Sequence, residues 1–187
     1  MSLRVLCVGA FLAGLSLVWA GAGAADQKDP RLDPLFAQLQ GAASLPEAQA
    51  IEAQIWVIWT ETKDGPTDTL MQLGLGAMQA GNLAGALELF DAVTVRKPDF
   101  AEGWNKRATV LYMLGAYERS AEDVAKVLAL EPRHFGALAG LGLIDIELDK
   151  ADAAMDAFEQ ALKVHPQLPG VKQRLEMLKK KKRDGAI

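Results

Sequence analysis

At 187 residues, half of them hydrophobic and with a formal net charge of −4, the chain has room for one compact domain or one short solenoid. The acidic balance argues against duplex nucleic acid as a partner. A lone cysteine, Cys7, excludes an internal disulfide framework and any zinc site built on several thiolates.

In chain order, residues 1–24 come first. Met1 to Trp19 holds one charge, Arg4, followed by an apolar run of 15 residues from Val5 to Trp19. Ala-x-Ala then occurs at Ala20–Ala22 and again at Ala22–Ala24. A positive start, an apolar stretch and small residues are the order of a secretory signal peptide, with cleavage expected after Ala24. The run falls short of the roughly 20 residues a spanning helix needs, and the alternative is an uncleaved anchor over the same segment. Cys7 lies inside it and lacks the lipoprotein context, so the mature chain is expected to have no thiol and no lipid anchor. Export without disulfides, in an Ala-rich chain, fits a Gram-negative periplasm.

Residues 25–32 read as a linker and 33–66 as a helix pair. Leu35, Phe36 and Leu39 mark its first helix; Pro46 opens a second carrying Ile51, Ile55, Trp56, Ile58 and Trp59, which ends at Asp64-Gly65-Pro66. So apolar a pair should pack on the next unit as a cap.

From residue 67 a period of 34 sets in. Pro98, Pro132 and Pro166 share one phase; Leu70, Trp104 and Leu138 share another. Gly74, Ala108 and Gly142 align, as do Phe90, Val124 and Phe158, and a turn position reads Gly81, Gly115, Asp149. A fixed period of this length means stacked copies of one supersecondary unit, here 67–100, 101–134 and 135–168. In the middle copy Asp99 and Glu102 stand at capping-box spacing and predict a helix from about Phe100. Trp104, Ala108, Leu111 and Leu114 fall on one face of it. Gly115-Ala116 breaks the helix, and Pro132 stops the second one. After Pro169, Val171, Leu175 and Leu178 predict a closing helix over 169–183, with a short tail at 184–187.

The pattern resembles the tetratricopeptide repeat, Trp-x2-Leu-Gly-x2-Tyr, then Ala-x3-Phe, then Pro. Leu73, Gly74, Ala86, Phe90 and Pro98 match it, as do Leu141, Gly142, Ala154, Phe158 and Pro166. The middle copy keeps Trp104 and Pro132 but has Arg107 where Leu is usual. The resemblance implies an all-α, right-handed superhelical solenoid with N- and C-terminal capping helices. The stretches Phe100–Asn105 and Pro132–Leu138 are also similar to periplasmic tetratricopeptide proteins of alphaproteobacteria, some of them associated with envelope integrity.

In such stacks the first helix of each unit lines a concave groove. Carried over, those positions give Met71, Leu75, Met78 and Gln79, then Glu102, Asn105, Thr109, Tyr112 and Met113, then Leu143, Ile146 and Glu147. This methionine-rich strip suits an extended or helical peptide of another protein, unless the upstream helices fold back and fill it. Lys–Asn pairs that would grip a peptide carboxylate are missing from 67–80 and 135–148.

No nucleophile–base pair, phosphate loop or metal-ligand spacing is evident, so no enzyme activity, cofactor or metal is expected. His134 and His165 are expected as solvent-exposed loop residues. Asp145 stands where Leu111 stands one unit earlier, and is expected to pair with Lys172 or Arg174 or to stay wet. Residues 25–178 hold 14 basic and 23 acidic side chains, ahead of the cationic run Lys179–Arg183. That run reads as a solvated helix end rather than a membrane anchor, and the mature chain as a monomer without stable membrane insertion.

Overall fold

The computed structural model describes residues 26–185, which form nine helices and no strand. The predicted signal segment lies outside the described residues. The helices are α1 (Leu32–Gly41), α2 (Leu45–Thr60), α3 (Gly65–Gln79), α4 (Leu83–Arg96), α5 (Ala101–Met113), α6 (Tyr117–Leu130), α7 (Phe135–Glu147), α8 (Ala151–Val164) and α9 (Val171–Arg183). Pairs α3/α4, α5/α6 and α7/α8 are antiparallel hairpins stacked in sequence, and α9 closes the stack.

The period is visible in the backbone. Gly81 and Gly115 adopt φ of +74° and Asp149 +56°, so each hairpin turns through a left-handed residue at the same phase. Each second helix ends just before its proline, with Lys97, Glu131 and His165 at φ near −130°, the conformation a following proline imposes.

Within each hairpin a small residue faces a large one. A Cβ on Gly74 would come within 2.7 Å of the Phe90 ring, and one on Gly142 within 2.4 Å of Phe158. The middle hairpin fills the same space with Ala108 and Val124, both buried. Volume moves between partners while the helix spacing stays constant.

Arg107 has its own account. Its guanidinium forks onto Asp123 at 2.6 and 2.7 Å, reaches Asp91 at 2.8 Å, and stacks over Trp104. A planar ion tie thus joins α4, α5 and α6 where a leucine is usual.

The N-terminal pair departs from the expected position. It does not cap the first repeat. Instead α1 and α2 lie along the edge where the inter-repeat turns emerge, as a strap. Leu32, Leu35, Phe36, Leu39, Ile51, Ile55, Ile58 and Trp59 form one buried cluster with Phe135 of the third repeat, extended by Val164 and Leu168. The reason is apolar demand: Trp56 and Trp59 find aromatic partners at His134 and Phe135.

Candidate functional site

Two surfaces bear on function, the strap-covered edge and the face lined by α5 and α7. Along the edge the strap meets the repeats in register. Gln27 Nε2 donates to the Asp99 carbonyl (2.6 Å), Arg133 bonds Asp33 (2.7 Å), and Gln167 Nε2 donates to the Ala42 carbonyl (2.6 Å). Positions 99, 133 and 167 are one phase of the 34-residue period. Gln27 Oε1 also accepts the Ala101 N–H at 3.3 Å, so α5 is capped from outside its own repeat. The expected capping box at Asp99 is absent, since Phe100 is the N-cap residue with no side-chain bond and Glu102 turns inward.

Both histidines lie in the loops between helices, as expected, but they are fully buried and not solvent-exposed. His134 stacks on Trp59 with ring centroids 4.1 Å apart and planes 5° from parallel. Its Nδ1 accepts the Ala137 N–H at 3.0 Å, which caps α7 and leaves Nε2 as the donor to Glu102 Oε2 at 3.1 Å. Burial pushes the Glu102 carboxyl up, but the His134 hydrogen bond and the Lys106 charge outweigh it and hold it below its ordinary range. His165 Nε2 lies 3.2 Å from Glu52, which also accepts from Trp56 Nε1 at 3.1 Å. Among the described residues, Trp59 Nε1 and His165 Nδ1 have no hydrogen-bond partner, and Glu102 Oε1 is met only by the Lys106 ammonium as an ion pair at 2.8 Å.

Between α5 and α7 lies an open cleft of about 230 Å³. Asn105, Thr109 and Tyr112 form one wall, Gly136, Gly140 and Leu143 the other, over a floor of Ala108, Ala137 and Ile144. Four predicted groove residues are therefore brought together: Asn105, Thr109, Tyr112 and Leu143. Met71, Leu75 and Met78 instead belong to the packing around Phe90, Phe100 and Val110, with Met71 buried. Ile146 is half-buried beside the last repeat's core, and Met113 is half-exposed. The strap does not fill the cleft; Trp56 only closes one end, where a Cβ on Gly136 would meet its ring at 3.0 Å. At the other end Glu147 stands beside Tyr112 and Tyr117. Burial raises both phenols first and the Glu147 charge raises them further, while Arg174 opposes this at Tyr112.

Asp145 is buried, and among the described residues no donor reaches its carboxylate. The expected partners Lys172 and Arg174 do not pair with it; burial raises its pKa and only the Lys150 charge works against that. Among the described residues no group of three metal-ligating side chains gathers, and no helix is long and apolar enough to cross a membrane.

Antiparallel helix pairs repeating every 34 residues and stacked on one another define a helical-repeat solenoid. The chain belongs to the tetratricopeptide-repeat family. The family's sequence profile, Tetratricopeptide repeat, matches residues 71–133. A TPR repeat-containing protein of Rhizobium etli is 34% identical over 151 residues, covering 81% of this chain and 74% of that one. The Sgt2 TPR domain from Aspergillus fumigatus superposes with a TM-score of 0.61 at 23% identity, over 65% of this chain and 82% of that one. The type III secretion chaperone SycD of Yersinia enterocolitica, in complex with a peptide of the translocator YopD, superposes with a TM-score of 0.59 at 16% identity. That match covers 62% of this chain and 93% of SycD, and similarity at these identities shows the fold.

Proposed function

We propose that the protein is an exported interaction module, a scaffold of the periplasm that serves envelope maintenance by holding a segment of another protein and catalyses no reaction. The observation that carries this is the open cleft between α5 and α7, apolar in its floor and edged by a few polar groups. SycD, of the same fold, is seen with a peptide of its translocator, which supports a peptide as the bound object. The signal-like order of residues 1–24 supports export.

A photo-crosslinking residue at Thr109, inside the cleft, tests the reading in the organism's own cells. It should trap a defined envelope protein identifiable by mass spectrometry, and the same probe at exposed Lys126 of α6 should not. The adduct should disappear with Tyr112→Lys. Equal labelling from both positions, or none from Thr109, would sink the proposal. An intact mass beginning at Ala25 would separate a released protein from one tethered by its first segment.

A further inference from the structure

The cleft exists because one face of α7 lacks side chains. One repeat earlier, the positions of Gly136, Ala139 and Gly140 hold Glu102, Asn105 and Lys106. Those three are occupied: Glu102 Oε2 takes bonds from Asn105 and His134, and its Oε1 lies 2.8 Å from Lys106. Their small counterparts leave a hole. A Cβ on Gly140 would meet nothing within 4 Å. Since an apolar cavity of roughly 150 Å³ holds a benzene ring, about 230 Å³ accommodates one large apolar side chain.

A second feature defines what surrounds that side chain. Asn105 is only 9% exposed, and its Nδ2 donates to Glu102 at 2.8 Å. A carboxylate only accepts, so the amide orientation is fixed and Asn105 Oδ1 is left without a partner among the described residues, on a residue that lines the cleft. An acceptor that opens into the cleft offers a ligand N–H a place to bond. A helical ligand already uses its backbone N–H groups internally, whereas an extended segment presents them. At the opposite end the Glu147 charge bears on both Tyr112 and Tyr117, and that of Arg174 on Tyr112 more weakly. A second copy of the chain is disfavoured as occupant by the shared net charge of −4.

We infer that the cleft takes an extended, basic peptide segment of a partner protein. One large apolar side chain seats against Gly140, a backbone N–H is donated to Asn105 Oδ1, and a Lys or Arg points to Glu147. This rests on the interaction-module reading and specifies the chemistry of its ligand.

The test is a randomised nine-residue peptide library displayed on phage, selected on the purified protein and counter-selected on Gly140→Phe. Enriched sequences should share one aromatic or long aliphatic residue with a Lys or Arg within a few positions. In anisotropy titrations, replacing that anchor by alanine should weaken the best peptide about tenfold or more. Gly140→Phe should abolish binding with helicity unchanged and melting shifted by no more than a few degrees, while Gly76→Phe on exposed α3 backbone should leave it intact. Glu147→Lys should remove the preference for cationic peptides. No enrichment, enrichment without an apolar anchor or of acidic sequences, or binding that survives Gly140→Phe would each overturn the inference. A partner trapped from Thr109 in cells, yet still trapped by Gly140→Phe, would defeat this ligand chemistry and leave the interaction module standing.

Discussion

The edge under the strap and the cleft between α5 and α7 are built on the same repeats, yet one is filled and the other open. At the edge, Phe135, His134 and His165 are fully buried because α1 and α2 supply the rings and aliphatic groups that cover them. On the cleft side, α7 offers glycine and alanine where α5 offers large polar residues, and no part of the described chain fills the gap. The stack is thus divided by side-chain size: bulky positions hold it together, and emptied positions leave the face open.

The largest expected effect is on the filled side. Trp59 is 1% exposed and lies on His134, so Trp59→Ala should cost about 3–5 kcal/mol in urea denaturation. Gly140→Phe, in the cleft, should change stability by only about 0.5 kcal/mol. Equal losses from the two variants would erase the distinction between edge and cleft. The junction of strap and third repeat holds two buried atoms without a hydrogen bond, Trp59 Nε1 and His165 Nδ1, so Trp59→Ala should also open residues 42–64 to limited proteolysis before the repeats unfold.

Much of the solenoid was legible because its determinants are local or periodic. Prolines, left-handed turns and the Gly74/Phe90 and Gly142/Phe158 complements all recur at fixed phase, and a period survives without knowledge of distant contacts. The Arg107 tie was within reach too, as Asp91 and Asp123 stand 16 residues to either side of it. The strap was not. Its contacts join residues 72 to 125 apart, and nothing in the apolar run 51–59 states which repeat it will cover. The buried histidines were missed for the same reason, because their burial is made by the strap. The cleft lies between these cases. The exchange of Glu102, Asn105 and Lys106 for Gly136, Ala139 and Gly140 is readable in the sequence, but its meaning needs the helices set side by side.

Next in size is the buried acid beneath the strap. The folded-state pKa of Glu102 is depressed, so its contribution to stability is present above the unfolded value and is lost as pH falls through the folded one. Glu102→Gln should therefore cost about 1–3 kcal/mol at neutral pH, and the gap from the native protein should narrow on acidification. A gap independent of pH would mean that shape, not charge, holds this junction. Smaller still is the cap supplied by the N-terminal segment. Gln27→Ala removes the bonds to Asp99 and Ala101 and should cost about 1 kcal/mol, with faster amide exchange confined to the first turn of α5.

The smallest effect should have the opposite sign, and it concerns an acid outside the strap. Glu102 has three partners; Asp145, buried but closer to water at 7% exposure against 1%, has none among the described side chains. Burial raises the folded-state pKa of Asp145, with Lys150 pulling weakly the other way. For a carboxyl the raised value means that the charged form is the disfavoured one in the fold. Its cost is present at neutral pH and is relieved as pH falls through the folded pKa towards the unfolded one. Asp145→Asn should then stabilise the protein by up to about 1 kcal/mol near pH 7, and by progressively less as pH falls through the raised folded-state pKa and the native carboxyl takes up its proton. Urea midpoints of both proteins across that range are sufficient to decide. If the asparagine variant is the less stable at neutral pH, the Asp145 charge is engaged by a group beyond those described, and the contrast between a satisfied acid under the strap and an unsatisfied one outside it fails.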